Sequence, residues 1–195
     1  MKKKILFIVV LLSINLFSQE NNDNRFSILF QNGMGLSEIS LNSNLHSGTS
    51  QNISLLGSYN FKNGYLLTTG VSQNQITFIA NTFNQKIEAY SIPLKFGFNF
   101  SVGKKKTSKT NLLAAIGFTY NIYSNVNIGD VDVEINDNNY SFVADLGANF
   151  ILSDKLFLNI YFNNTTDFNE VDFANGDNFK IKKDKKINIS IGYNF

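Results

Sequence analysis

The chain has 195 residues, of which 43% are hydrophobic, 14% aromatic and only 16% charged, with 13 Gly, one Pro, no Cys and no Trp. This is one domain's worth of chain, and charges well short of about a quarter, abundant aromatics and a mean hydropathy of −0.09 exclude both a disordered chain and a helical membrane protein. A single histidine, His46, and no cysteine exclude disulfide frameworks, thiolate zinc sites, Cys nucleophiles and multi-histidine metal centres, so no metal or cofactor is expected.

The formal charge of +2 belongs to the first residues. Lys2, Lys3 and Lys4 precede an apolar run from Ile5 to Leu12, and the chain turns polar from Ser13 to Gln19. Eight apolar residues are too few for a span that needs about 20, so residues 1–18 read as a cleaved secretory signal with Ser18 before the cut. A retained anchor or a buried first helix is the competing account, and the short run and basic flank speak against it. Without the three lysines, 14 basic residues face 15 acidic ones, a net charge of −1. The remaining cation runs, Gly103 to Lys109 and Lys180 to Lys186, are short, so no nucleic-acid footprint is left.

Residues 19–195 alternate apolar and polar with period two, which predicts eight strands: Arg25 to Leu36, Gln51 to Phe61, Gly64 to Gln75, Ile87 to Val102, Asn111 to Ser124, Tyr140 to Leu152, Lys155 to Thr166 and Lys185 to Phe195. The fourth puts Tyr90, Ile92, Leu94, Phe96, Phe98, Phe100 and Val102 on one face, and the last does the same with Ile187, Ile189, Ile191, Tyr193 and Phe195. Soluble strands average about five or six residues whereas a tilted transmembrane strand needs about 9 to 11, and these lengths match the second class. Short joins at Lys62-Asn63-Gly64, Gly103 to Thr110 and Ser153-Asp154 alternate with longer polar stretches at Ser37 to Ser50, Ile76 to Lys86, Asn125 to Asn139 and Asp167 to Asp184. The fold class expected is all-β: an eight-stranded antiparallel up-and-down transmembrane β-barrel.

The faces decide what lies inside. Phe96, Phe98, Phe118, Phe150, Ile189 and Tyr193 share the bulky face, opposite Gly33, Gly35, Ser58, Gly70, Ser72, Gly97, Gly117, Gly147, Asn149 and Gly192. An eight-stranded barrel has room inside only for side chains, so the small polar face is lumenal and the bulky one meets lipid. A soluble calyx would have the opposite arrangement. Lys95 and Asp145 both fall on the polar face, each seven residues from the short-turn end of its strand, which predicts a lumenal ion pair that plugs the barrel.

The run Tyr90-Ser91-Ile92-Pro93-Leu94-Lys95-Phe96-Gly97-Phe98 and the closing Gly192-Tyr193-Asn194-Phe195 resemble the outer-membrane β-barrel domain family of Bacteroidota, which includes PorT-like proteins and is similar to small OmpX- and OmpA-like barrels. The likeness covers essentially the whole chain after residue 18, and 30 asparagines suit the AT-rich genomes of that Gram-negative lineage. It implies an outer-membrane location and partners in the lipid bilayer, lipopolysaccharide and the barrel-assembly machinery, whose recognition signal Tyr193 and Phe195 are similar to. It also implies, for PorT-like members, an accessory role in protein secretion.

Three features in the loops bear on function. Asp130-Val131-Asp132-Val133-Glu134-Ile135 alternates acid with β-branched residue, which suits a strand extending above the bilayer with one acidic face or a calcium site, but it lacks the mid-loop Gly and terminal Glu of an EF-hand. Val171 and Phe173, then Phe179 and Ile181, flank Asn175-Gly176 as a hairpin whose apolar face either meets a surface partner or pairs with neighbouring loops. His46, beside Ser43, Ser47 and Ser50 with Glu38 nearby, is the only constellation for a lipid-A acyl enzyme, and a polar loop contains such residues anyway. The expectation is therefore a non-catalytic barrel with a structural or surface-interaction role.

Overall fold

The computed structural model describes residues 25–195 apart from 62–63, 81–82, 103–108, 129–130, 134, 136–137 and 174–175. The expected signal, residues 1–18, lies outside the described residues. Alternation produces strands in chain order β1 (Arg25–Leu41), β2 (Asn44–Asn60), β3 (Tyr65–Ala80), β4 (Phe83–Ser101), β5 (Thr110–Ile128), β6 (Val131–Asp132), β7 (Asn139–Ile151), β8 (Leu156–Asp167), β9 (Val171–Asp172) and β10 (Asn178–Asn194). The eight long strands form one antiparallel sheet in chain order, and β10 pairs back to β1, so the wall closes into a barrel. The two short pieces add to it, β6 on β5 and β9 on β10.

The ladders give the barrel its stagger. From Gln31 they lead one way through Ser54, Ser72, Ser91 and Asn121 to Asn139. The other way they lead through Ser190 and Asn159 to Asn149, ten residues further along β7. Ten residues over eight strands make each ladder step climb by about 1.25 residues, a shear that tilts the strands by roughly 35–45°. Among the described residues the β1–β10 and β4–β5 ladders shift register at Glu38/Ile39 and Glu88/Ala89, and the β3–β4 ladder is broken where Gly70 and Val71 face Ile92 and Pro93 outside the register. Proline has no N–H to give a ladder, so the break falls where the sequence puts its one proline.

The end holding Arg25 and Asn194 is called the lower end. There Leu152 N–H and Ser153 N–H donate to the Leu156 carbonyl, and the Ser153 hydroxyl accepts from Leu156 N–H at 3.1 Å, which closes the short β7–β8 turn. Gly64, at φ +82°, sits in the β2–β3 turn in a conformation that side chains disfavour.

The upper end differs from the long polar loops expected from the sequence. Ser37 to Ser50 is a continuation of β1 and β2 around a two-residue turn at Asn42 and Ser43, with φ +48° and +68°. Likewise β3 runs on to Ala80, β5 to Ile128, and β10 starts at Asn178 rather than Lys185. The strands are longer than their lipid-facing alternation because the pattern inverts partway. Below, Phe30, Ile53, Val71, Phe96, Phe118, Leu146 and Ile189 face outward. Above, Ile39, Leu41, Ile76, Phe78, Ile87, Val126, Phe179 and Ile181 face inward and are buried.

Candidate functional site

The lumen is filled in four levels. At the lower end Leu29, Leu56 and Phe157 pack together, as do Leu66, Leu113, Ala115 and Tyr161, so the floor is apolar rather than small and polar as the sequence suggested. Below and around this floor a cavity of about 260 Å³ carries Asn60, Asn99, Asn111, Asn149, Asn159 and Asn194 on its wall. Sequence reasoning missed the floor because single apolar residues on a mostly polar face read as exceptions to a pattern.

The middle layer holds the charges. Lys95 Nζ lies 2.6 Å from Asp145 Oδ2, and the two residues are 6% and 5% exposed. They come from β4 and β7, with β5 between them. The ladder neighbour of Lys95 on β5 is Gly117, so no side chain stands between the ammonium and the carboxylate. Asn163 Nδ2 donates to Asp145 Oδ1 at 2.6 Å, and Lys95 Nζ sits 5.5 Å from the centre of the Tyr161 ring. The Tyr161 hydroxyl donates to Gln31, whose Nε2 donates to Asn188 Oδ1 at 3.0 Å. Two charges buried this deeply are tolerated only as a paired, hydrogen-bonded set.

Above that pair a polar belt circles the wall. Asn74 donates to Ser91, Ser91 to Asn121, Asn121 to Ser141, and Ser141 to Asp167, at 2.6 to 2.7 Å each. Asp167 Oδ2 then accepts from Ile181 N–H at 2.9 Å. On the remaining side Asp184 Oδ1 accepts from Ser37 at 2.8 Å and from Ser50 at 2.5 Å, while its other oxygen pairs with Lys186. The sequence pattern does not announce this second buried ion pair, because the period-two template ends before Asp184. The signal was available, because Lys186 continues the polar face of the last strand.

The top layer is an apolar cap. Val171, Phe173, Phe179 and Ile181 turn inward against Ile39, Phe78, Ile87 and Val126, and Phe173 stacks on Phe179 at 5.2 Å. The surface-exposed apolar hairpin face considered in the sequence reading is therefore absent: those side chains pack inside, and Ile135 bridges to Phe173. Of the calcium candidate, Asp130 and Glu134 lie outside the described residues. Among the described residues no cluster of three or more metal-ligating side chains occurs.

His46 does not meet its candidate partners. Its Nδ1 lies 3.2 Å from the Ile79 carbonyl and its ring 5.8 Å from that of Phe78. Glu38 pairs along the ladder with Ser47, and its carboxylate is 3.8 Å from Lys183 on the outer wall. Ser50 points down into the belt, and Ser43 lies exposed in the turn. Tyr193 and Phe195 pack edge to face at 5.1 Å, with Phe195 5.9 Å from Phe26, in a lower ring of aromatics that also holds Tyr59, Phe61 and Tyr65.

A wall apolar on its outside, flanked by aromatics and filled with hydrogen-bonded polar groups, defines an integral membrane β-barrel. The sequence matches the family model described as outer membrane protein beta-barrel domain over residues 8–195, and the chain belongs to this family. It is a protein of the outer membrane. No curated protein sequence matches the chain. Among solved structures it is similar to Neisserial surface protein A, at 12% identity and a TM-score of 0.63 over 87% of this chain and 97% of that one. It is also similar to a major outer membrane protein from Thermus thermophilus, at 10% identity and a TM-score of 0.52 over 87% and 99%. At these identities the likeness concerns the fold.

Proposed function

We propose that the chain is a small, non-catalytic outer-membrane protein whose structural or interaction role is carried by its outer surfaces. The observation that supports this is a lumen occupied at successive levels by the protein's own side chains, from the apolar floor through the ion pairs and the belt to the cap. Residues 1–18 act as the export signal and 19–195 as the barrel. Lys95 and Asp145 serve as a structural plug. Tyr193 and Phe195 are read by the barrel-assembly machinery, and the partners after insertion are the bilayer, lipopolysaccharide and a surface or secretion component reached from the upper end. A PorT-like accessory role in protein secretion in a Bacteroidota host rests on the resemblance of the 90–98 and 192–195 runs, and loss of secreted proteins on deletion tests it. A lipid-A acyl enzyme would need His46 beside a nucleophile, and the nearest serines and Glu38 are directed elsewhere.

The reading is tested by membrane fractionation, gel migration before and after boiling, and protease treatment of whole cells. The expected result is outer-membrane residence, a heat-dependent shift and cleavage confined to the upper end. A soluble periplasmic protein without the shift overturns it, and lipid A altered by the wild type but not by His46→Ala overturns the absence of catalysis.

A further inference from the structure

The apolar band on the outer wall does not have the same height all round. Allowing for the stagger, the outward residues level with Tyr90 of β4 are Tyr120 and Tyr140 on β5 and β7, which close the band with a ring of aromatics. Level with them on the opposite half stand Gln75 on β3, Gln51 on β2, Leu36 on β1, and Lys183 and Lys185 on β10. Three strands thus meet the upper lipid boundary with phenol rings, and four on the opposite side meet it with amides and ammonium groups around Leu36.

The polar half is also indented. A groove of about 600 Å³ runs over Gly35 and Ser50, bounded by Met34, Leu36, Thr49, Gln51, Gln75 and Thr77. Leu36 and Glu38 pair on their other side with Lys185 and Lys183, so the two lysines border the groove one strand away, about 4.8 Å. Lys183 has only a 3.8 Å contact to Glu38, and among the described residues no acid pairs with Lys185. Lysine on a lipid-facing wall costs about 2–4 kcal/mol at the midplane and about 0–1 near the interface, so these residues belong at headgroup depth.

We propose that this sector binds the phosphorylated sugar headgroup of an outer-leaflet glycolipid of the lipid A type. Lys183 and Lys185 face the phosphate, Gln51, Gln75 and Thr49 face the sugar's amides and hydroxyls, and Met34 and Leu36 line the start of an acyl chain. A second copy of the chain is the less suitable occupant, because a two-fold contact buries the same patch from both copies and so brings four lysines into one interface with only the two Glu38 carboxylates beside them. This inference rests on the reading above, that the barrel sits in the outer membrane with this end outward.

The test uses the full barrel in phosphatidylcholine nanodiscs containing a minor fraction of bisphosphorylated lipid A, dephosphorylated lipid A or phosphatidylglycerol, with bound lipid counted by native mass spectrometry. The wild type is expected to retain bisphosphorylated lipid A, and Lys183→Gln with Lys185→Gln to weaken retention by about 30-fold, from about 1 kcal/mol per cation at a membrane surface. Gln51→Leu with Gln75→Leu keeps both lysines and an outward face suited to lipid, and is expected to weaken retention of lipid A while leaving that of phosphatidylglycerol unchanged. Equal retention of phosphatidylglycerol and lipid A, indifference to the lysine changes, or a dimer that the glutamine changes abolish overturns the proposal. The heat-dependent gel shift of each variant reports the barrel separately: a shift without lipid A retention sinks this site alone, and no shift in the wild type sinks the membrane reading with it.

Discussion

Removing one member of the Lys95–Asp145 pair should cost far more than removing both. In Lys95→Met, Asp145 keeps a buried carboxylate with Asn163 Nδ2 as its remaining donor among the described contacts. In Asp145→Leu, the ammonium keeps Tyr161, whose ring centre lies 5.5 Å away, as its remaining partner among the described contacts. An uncompensated charge of this kind destabilises by about 3–5 kcal/mol, whereas replacing a whole buried pair by apolar side chains of similar size is about neutral or stabilising. The double variant is therefore expected within about 1 kcal/mol of the wild type, and the cycle to give a coupling of about 3 kcal/mol or more. Urea titration of the barrel folded in phosphatidylcholine vesicles, read by its gel shift, measures each corner. Single variants costing about 1 kcal/mol each, with additive effects in the double, would mean that water screens the pair. The same result accompanied by conductance steps in planar bilayers would refute the closed lumen outright.

Phe179, fully buried in the cap, should cost about 3–5 kcal/mol on truncation to Ala. Because the cap stands above the lipid-facing band, faster cleavage of the upper end by added protease should appear before any loss of the gel shift. Gly147→Ala places a Cβ 2.2 Å from the Ile160 carbonyl oxygen and 2.4 Å from Tyr161 Cα, so backbone must move and barrel yield should fall sharply in refolding assays. Gly33→Ala meets side-chain oxygens of Asn188 and Asn52 instead, which can rotate, and a milder loss is expected. The chain has no cysteine, so single cysteines at Leu36, Tyr90 and Thr77 carry unique fluorophores. Quenching by brominated lipid should place Leu36 and Tyr90 at one depth and Thr77 further out, and equal quenching at all three contradicts the stagger derived from the ladders.

The strands were legible wherever the two faces of the wall meet different media with a constant sign. β10 shows this best, with Ile187 to Phe195 outside and Lys186 to Asn194 inside. Lys95 and Asp145 could be placed at one depth by counting from the turns, since β4 and β7 both run downward and the shear between them is small. Legibility failed where the sign reverses. In Ser37 to Ser50 the apolar residues Ile39 and Leu41 move to the face that Gly33, Gly35 and Ser37 occupy below, and a β-bulge at Glu38/Ile39 shifts the register against β10. A fixed period-two template reads that change as the end of a strand. Asp184 was lost with it, and so was the belt, whose members are spread over many strands and acquire meaning only when the shear brings them to one height.

The reversal has a single physical cause. Along β1, β3 and β10 the inside stays enclosed by the wall while the outside passes from hydrocarbon to water, so the cheaper arrangement changes from apolar-out to apolar-in at the boundary. Inside the bilayer the wall needs apolar residues outward, and the interior then holds polar groups that must satisfy one another, as Lys95, Asp145, Asn163, Tyr161 and Gln31 do. Beyond the bilayer the same wall in water is held by an ordinary hydrophobic core, from Ile39 to Phe179. The belt of Asn74, Ser91, Asn121, Ser141 and Asp167 lies where the two regimes join, and completes the hydrogen bonds of a level that neither regime fills with apolar side chains. A barrel filled this way turns most of its lumenal polar groups toward one another. The site we propose lies on the outside of the wall at that boundary, where Gln51, Gln75, Lys183 and Lys185 depart from the aromatic pattern of Tyr90, Tyr120 and Tyr140.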